Sequence, residues 1–148
     1  MYYLPFCPFM KILFSSISLF LFVVSGLLSK PDDELLKIEN AAPEKSSVKP
    51  KKTRKVLVYS HPSGFKHSSI PTGVKGLRVL AEKTQAFEAT FTLETKEFTS
   101  EGLKKYDAII FNNTTHVQKA FTEKSQRDAI LNFIKNGKAF IGFHAASD

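Results

Sequence analysis

The sequence predicts an α/β fold in which helices cover both faces of a parallel sheet, giving three layers. Three apolar runs, KVLVYS, DAIIFN and AFIGF, have the length and composition of buried strands. The segments between them carry apolar residues at helical spacing. Strands that are separated by such helices pair in parallel, so the order β-α-β-α-β-α-β indicates one domain over residues 55–148.

Residues 1–29 are predicted to be a bacterial-type secretory signal peptide, in which Met10 is an alternative start. One lysine follows Met10, and a long run of apolar residues and serines comes next. Small residues before Leu27 and at Ser29 suit cleavage. The run is at the lower length limit for a membrane span, so an uncleaved membrane anchor is the alternative. We therefore expect a secreted or periplasmic protein, or one that touches a membrane only through this leader.

Residues 30–54 are rich in Lys, Glu, Pro and Ser, and are predicted to be a disordered basic linker with at most one helical turn at 32–38. The net charge of +7 is spread along the chain and is densest in KPKKTRK, Lys49 to Lys55. No aromatic platform accompanies this run, so we expect a solubilising tether and no nucleic-acid partner. The alternative is an arm that binds a nucleic acid or another anionic surface. The single cysteine, Cys7, lies in the leader, which excludes disulfides and cysteine ligands from the exported part.

The first half of the domain begins with a strand at Lys55. A helix is predicted to open near Ser69, with Pro71 in its first turn, where a missing N–H has no cost. Its apolar stripe is formed by Ile70, Val74, Leu77, Leu80 and Ala81. Residues 87–93 alternate between apolar and polar, which predicts a half-exposed edge strand.

The second half contains two more helix starts and two more strands. Thr99 is predicted to cap a short helix, with Phe98 and Leu103 forming a hydrophobic staple. Thr122 is predicted to cap a longer helix that ends at Asn136-Gly137. The buried face of that helix is predicted to comprise Ala129, Ile130, Phe133 and Ile134. The last strand, AFIGF, is predicted to be fully buried.

Ligands of open parallel sheets bind beyond the carboxyl ends of the strands. This rule selects three loops, at residues 61–69, 113–121 and 144–148. All the histidines of the chain fall in them, namely His61, His67, His116 and His144. His144 directly follows a strand and precedes small residues, which is typical of a sharp strand-to-helix turn that holds a reactive side chain above the sheet.

The blocks KVLVYSHPSGFKHSSIPTGVKGLRVL, YDAIIFNNTT and FIKNGKAFIGFHAASD resemble the first half of a ThuA-like domain, named for trehalose utilisation. The resemblance implies a flavodoxin-like, class I glutamine amidotransferase-like fold. Members of the family continue well past the last of these blocks. We therefore expect a C-terminally truncated domain, a fragment whose last strand lacks its covering helix.

The resemblance also implies site residues. His144 occupies the position of the amidotransferase cysteine nucleophile, which argues against amidotransfer. His144 and His67 are the expected catalytic residues, and the alternative roles are stiffening of the turn and capping of the next helix. His61 stands where many relatives have a lysine, and His116 matches no family position. The expected substrate-binding residues are Gly64, Phe65, Thr114, Thr115, Ser147 and Asp148.

The predicted function is carbohydrate metabolism, on trehalose or a keto-disaccharide, by hydrolase or lyase acid–base chemistry. A non-catalytic module that binds a sugar or a partner is the alternative, and a flavin carrier is the third hypothesis. No cofactor is expected. A divalent metal at His67 and His144 is conceivable only with further ligands, because two histidines are too few to hold zinc.

Overall fold

The computed structural model describes residues 32–148. The predicted signal peptide, with its cleavage or anchoring, lies outside the described residues. The described part forms a parallel sheet with the strand order β2-β1-β3-β4, which confirms the α/β fold class. The elements in chain order are α1 Asp33–Ala41, β1 Arg54–Tyr59, α2 Ile70–Thr84, β2 Phe87–Thr92, a 3₁₀ turn Thr95–Glu97, α3 Ser100–Leu103, β3 Ala108–Asn112, α4 Val117–Ala120, α5 Lys124–Lys135 and β4 Ala139–Phe143.

Two apolar cores lie on opposite faces of the sheet, as the alternation of side chains along strands requires. Leu57 and Tyr59 of β1 belong to a core that α3, α4 and α5 cover. Val56 and Val58 belong to a second core on the α2 side, together with Leu77. The two cores make this a three-layer domain, with β1 and β3 in its centre.

The two outer strands differ from each other in how well the sequence anticipates them. β2 is a half-exposed edge strand, as its alternating pattern predicts. β4 is exposed along its whole length, so the prediction of a fully buried strand is wrong. Phe140 and Ile141 are 38% and 42% exposed, because β4 pairs only with β3 among the described strands. An apolar run thus identifies the strand but not the neighbours that cover it.

The segment before β1 is more ordered than a disordered linker at 30–54 implies. Residues 33–41 form α1, which contacts α2. Lys75 Nζ lies 2.6 Å from Glu34 Oε2, and Lys83 Nζ lies 2.6 Å from Glu44 Oε1. Val79 lies between these two lysines at intervals of four residues, on the same helix face, and it is buried. The apolar stripe predicted for α2 missed Val79, because its burial depends on a distant part of the chain.

Helix boundaries were partly predictable. The Thr99 side chain accepts a hydrogen bond from the Gly102 N–H, which confirms this cap, and both staple residues are buried. Thr122 does not cap α5, because the helix begins after Glu123 and no side chain caps it. On α5, Ile134 is 40% exposed, contrary to its predicted place on the buried face.

None of the helices within residues 32–148 is long and apolar enough to cross a membrane.

The sheet topology fixes where a ligand site can form. The chain moves from β1 outward to β2, then returns to place β3 on the other side of β1. Strand order therefore reverses between β1 and β3, and the loops that follow these two strands border the crevice at that point. β4 lies next to β3, so its turn adjoins the same crevice.

Candidate functional site

The structure brings together two histidines that are far apart in the sequence. The imidazole rings of His67 and His144 meet edge to face, with their centroids 4.5 Å apart. His67 belongs to the loop after β1 and His144 to the turn after β4. His67 is half-buried, whereas His144 is exposed. The pairing of these side chains at the carboxyl edge agrees with the sequence prediction, while their catalytic role stays a prediction.

The turn that carries His144 has an unusual backbone. His144 has a φ of 52°, in the left-handed region that residues other than glycine seldom occupy. Asn113 and His116, in the loop after β3, have φ values of 55° and 52°. Non-glycine residues in this conformation cluster at functional sites, where the surrounding structure holds them. The sharp turn predicted at His144 is therefore present, and its strain is matched in the neighbouring loop.

Thr114 and Thr115 connect the loops on either side of them. The Thr114 hydroxyl donates to the Ala146 carbonyl at 3.0 Å, and the Thr115 hydroxyl donates to the Phe65 carbonyl at 2.8 Å. Both residues are buried, with 0% and 2% exposure. Their hydroxyl protons are thus used within the protein, and the side chains do not face solvent. We therefore revise their predicted substrate contact: they hold the site together.

Backbone hydrogen bonds strengthen the same connections. The Ser63 N–H donates to the Thr115 carbonyl at 2.9 Å, which ties the β1 loop to the β3 loop. The Asn113 N–H donates to the Phe143 carbonyl at 3.2 Å, and the Val117 N–H donates to the Asp148 carbonyl at 3.1 Å. The β3 loop, residues 113–117, is therefore a central brace between the loops that carry His67 and His144.

The loop after β1 presents an aromatic side chain next to the histidines. Phe65 is 70% exposed, and its ring meets that of His67 edge to face at 4.8 Å. Gly64 lies against His116: a β-carbon at Gly64 would come within 2.3 Å of His116 Cδ2. Gly64 is thus required for close packing with the brace. His61 is exposed, and its ring centroid lies 6.4 Å from that of Tyr59.

The final turn contributes both exposed and buried residues. Ser147 and Asp148 are exposed, so their side chains remain accessible to a ligand. Ala146 is buried and packs against Gly142 and the core below the turn. Ala146 thereby anchors the turn, a role that the sequence reading did not assign to it. Its small size was the available signal.

A buried polar network lies at the ends of β1 and β3, and the sequence reading missed it. Asn112 Nδ2 donates to the Ser60 hydroxyl at 3.3 Å and to the Ile70 carbonyl at 3.1 Å. Asn113 Nδ2 donates to Asn112 Oδ1 at 2.9 Å. Among the described residues, Asn113 Oδ1 is buried without a hydrogen-bond partner. The consecutive asparagines at the end of an apolar strand were the signal for this network.

Aromatic packing supports the site from below. The Tyr59 ring contacts Phe98, Phe111 and Phe121, with centroid distances of 5.3, 5.4 and 5.3 Å. Burial raises the pKa of Tyr59 to about 12, and its hydroxyl has no hydrogen-bond partner within residues 32–148. Tyr59 is therefore a neutral core residue at physiological pH, and it gives the end of β1 a rigid base.

A cavity of about 650 Å³ lies elsewhere, beside β2, and is lined in part by Glu88, Thr90 and Thr92. No histidine lines it. Its charged side chains include ion pairs, such as Lys105 with Glu97 at 2.9 Å. Size alone therefore does not identify the site, and the histidine pair carries the more specific chemistry.

Within residues 32–148, no group of three or more His, Cys, Asp or Glu side chains could hold a metal ion.

Two imidazoles in contact can divide acid and base roles between them. An imidazole ring can either donate or accept a proton, so one ring can act as the acid while the other acts as the base. The exposed Phe65 and the open turn at Ser147 leave room for a ligand beside the rings. This arrangement suits proton transfer on a molecule that lies across the carboxyl edge.

Two solved structures are similar to this chain. A ThuA-like protein from Bacteroides uniformis, as its structure is described, is similar with a TM-score of 0.53 and 24% identity, over 68% of this chain and 40% of that chain. A protein from Listeria monocytogenes, described as a peptidase E, has a TM-score of 0.49 and 17% identity, over 77% of this chain and 54% of that chain. The chain thus spans well under two thirds of either solved relative.

The likeness to the Bacteroides structure shows the fold alone, which is flavodoxin-like and of the class I glutamine amidotransferase type. A search of curated proteins found no match. The profile of the ThuA family, described as trehalose utilisation, matches residues 55–148. This match covers more than half of the chain and includes His67 and His144. The chain therefore belongs to the ThuA family.

Proposed function

We propose that this chain acts on a carbohydrate by acid–base chemistry at His67 and His144. The observation that carries the proposal is the contact between the two imidazoles, 4.5 Å apart at the carboxyl edge of the sheet. The family description, trehalose utilisation, supports a sugar as the substrate class. A disaccharide such as trehalose, or its keto derivative, is the preferred substrate.

Two reaction types fit such a pair of histidines. In hydrolysis, a water molecule attacks the anomeric carbon while one imidazole takes a proton from that water. The other imidazole protonates the departing glycosidic oxygen. In elimination from a keto-disaccharide, the base removes a proton from the carbon next to the carbonyl. The electron pair forms a double bond and expels the glycosidic oxygen, which the acid protonates. We propose that the reaction belongs to one of these two classes.

The neighbouring residues supply the contacts that a sugar needs. An exposed aromatic ring such as Phe65 offers an apolar surface to the C–H face of a sugar. Ser147 and Asp148 are exposed beside His144 and offer a hydroxyl and a carboxylate to sugar hydroxyls. Gly64 permits the loop to approach the brace closely. The hydroxyl groups of Thr114 and Thr115 hold the β4 turn and the β1 loop in position by hydrogen bonds.

The test compares the full chain with His67→Asn and His144→Asn variants. Asparagine tolerates the left-handed backbone at position 144 but cannot transfer protons near neutral pH. Trehalose and its keto derivative are incubated with each protein, and products are followed by NMR. Turnover that falls at least a hundredfold in both variants, with His61→Asn unaffected, supports the proposal. Full turnover by His144→Asn would refute the role of His144.

A second candidate function is a sugar-binding module without catalysis, which the 70% exposure of the Phe65 side chain favours. Calorimetric titration of the same sugars separates the two functions. Heat of binding without product formation indicates the sugar-binding module. That heat should be lost in the Phe65→Ala variant and kept in both histidine variants. Product formation that depends on the histidines indicates the enzyme.

We also propose that the chain acts outside the cytoplasm. The support is the apolar run that follows Met10 in the sequence, which has the features of a secretory signal. Fractionation of expressing cells, with mass determination of the recovered protein, tests this. A periplasmic or secreted product that lacks the leader supports export, and membrane recovery of the intact chain indicates the anchored alternative.

A further inference from the structure

The amino-terminal edge of the sheet carries a concentration of positive charge. Lys52 Nζ, Arg54 Nη1 and Lys138 Nζ lie 2.9, 3.5 and 3.7 Å from Asp107 Oδ1. Lys52 precedes β1, Arg54 is the first residue of β1, and Lys138 precedes β4. The carboxylate of Asp107, just before β3, therefore gathers three cations from the beginnings of its two neighbouring strands, and positive charge remains in surplus.

This cluster is both exposed and held in place. The Lys52, Arg54 and Lys138 side chains are 63%, 49% and 36% exposed, while Asp107 is only 16% exposed. Lys138 Nζ also donates to the Tyr106 carbonyl at 2.8 Å. Hydrogen bonds from Lys52 and from the Lys55 N–H lower the pKa of Asp107 to about 2. Asp107 thus stays ionised and keeps the cations together.

A cationic cavity lies at the same edge, where α2 ends. Its volume is about 390 Å³, and no carboxylate of the described part of the chain lines it; the lining residues are Lys45, Ser46, Lys49, Pro50, Thr53, Thr84 and Gln85. The carboxyl end of α2 contributes about half a negative charge there, which the two lysines outweigh. Ammonium, hydroxyl and amide donors are the groups that bind phosphate oxygens.

We propose that this surface, the basic edge (Lys45, Lys49, Lys51, Lys52, Arg54 and Lys138), binds the anionic phospholipid headgroups of a bilayer. Basic segments near such a membrane are attracted by about 1 kcal/mol for each lysine or arginine. The sequence places this edge shortly after an apolar run that ends near Ser29, which is predicted to be a secretory signal or a membrane anchor.

A membrane fits the basic edge better than a nucleic acid does. Tyr106 and Phe133, which lie beneath Lys105 and Lys138, are buried and cannot stack on bases. The cations of the basic edge extend from the segment before β1 to Lys138 before β4, on either side of β3, which gives a broad face. A broad, cationic face without an aromatic platform suits a layer of headgroups.

The placement has a consequence for the proposed site. Strands of five to six residues separate the two edges of the sheet by about 17–20 Å. His67 and His144 lie at the opposite, carboxyl edge. Binding through the basic edge would therefore leave the histidines facing the aqueous phase, open to a dissolved sugar. The membrane proposal does not depend on the proposed catalysis, and either can fail without the other.

The test measures sedimentation of the full chain with phosphatidylcholine vesicles, with and without phosphatidylglycerol. Neutral vesicles report any insertion of the leader by itself. The test variant is Lys49→Gln/Lys51→Gln/Lys52→Gln. The matched control is Lys66→Gln/Lys119→Gln/Lys124→Gln, which removes the same charge from exposed lysines elsewhere. We expect the test variant to lose on the order of a hundredfold in partitioning to anionic vesicles, and the control to lose far less.

Three outcomes would overturn the proposal. Equal losses in both variants would indicate attraction by net charge alone. Equal binding to neutral and anionic vesicles would indicate insertion of the leader alone. Preference for a DNA duplex over anionic vesicles at equal phosphate concentration would indicate a nucleic-acid surface. The triple Lys→Arg variant at positions 49, 51 and 52 keeps the charge and must bind like the wild type, which separates lost charge from lost folding.

Discussion

The rings of His67 and His144 are held 4.5 Å apart by a loop that contains neither of them. Residues 113–117 reach the β1 loop through Thr115 and the β4 turn through Thr114. A site built this way depends on the brace as much as on the histidines. Substitutions in the brace and in the contacts around it test that dependence.

Replacing either brace threonine with valine should destabilise the protein and disturb the histidine pair. Valine has the same shape but removes the donor. Thr114→Val leaves the Ala146 carbonyl buried without its donor, which costs about 1–3 kcal/mol in the free energy of unfolding, and Thr115→Val should cost less because its bond to the Phe65 carbonyl is only partly buried. Urea denaturation measures this cost. In the same variants, the NOE between the ring protons of His67 and His144 should weaken. Thr122→Val is the control, because Thr122 is exposed.

The backbone at His144 should discriminate between side chains of similar size. A β-branched residue in the left-handed region is strained by about 1–2 kcal/mol, whereas asparagine is tolerated. We therefore expect His144→Val to be less stable than His144→Asn by about that amount. The same comparison at His67, which has no positive φ, should show a much smaller difference. Equal stabilities at position 144 would contradict the strained turn.

A side chain at Gly64 should displace His116. A β-carbon there would lie 2.3 Å from His116 Cδ2, so Gly64→Ala must push the ring away and loosen the loops. We expect a loss of about 1–3 kcal/mol in the free energy of unfolding. The double variant Gly64→Ala/His116→Ala should recover part of it. Gly76→Ala is the control, because nothing lies near its β-carbon, and it should stabilise α2 by about 0.5–1 kcal/mol.

The Asp107 cluster predicts a stability loss in acid. The pKa of Asp107 is lowered from 3.8 to about 2, so its ionised form stabilises the fold above pH 4. This contribution should disappear as the pH falls from 4 to 2, because the unfolded chain takes up the proton first. The stability difference between wild type and Asp107→Asn should shrink over that range. Asp128→Asn removes an exposed helix pair and should show a weaker pH dependence.

The sequence was sufficient for the order of the elements and for the edge where the site lies. Apolar runs and helical spacing report local periodicity, which β1, α2, β3 and α5 retain in the structure. The histidines could be grouped because parallel strands bring their carboxyl ends together. This grouping required only the chain order.

Apolar runs and helical spacing could not predict the contacts between distant segments. β4 has the composition of a buried strand, yet its exposure depends on which neighbours pack against it. A threonine pattern cannot tell whether a hydroxyl turns toward a ligand or toward a carbonyl in the next loop, as Thr114 and Thr115 do. α1 contacts α2 and pairs Glu34 with Lys75, and Glu44 beyond α1 pairs with Lys83, and no local pattern encodes these contacts.

The position of β4 sets the vulnerability of the site. Strands at a sheet margin open locally at lower free energy than the central strands, without global unfolding. Fraying of β4 would carry His144 away from His67 while the two cores around β1 stayed intact. Hydrogen exchange at Ile141 and Phe143 should then be faster than at Val58 and Ile110. The contact between the two histidines and the bulk fold would become separate properties of one chain, lost at different temperatures.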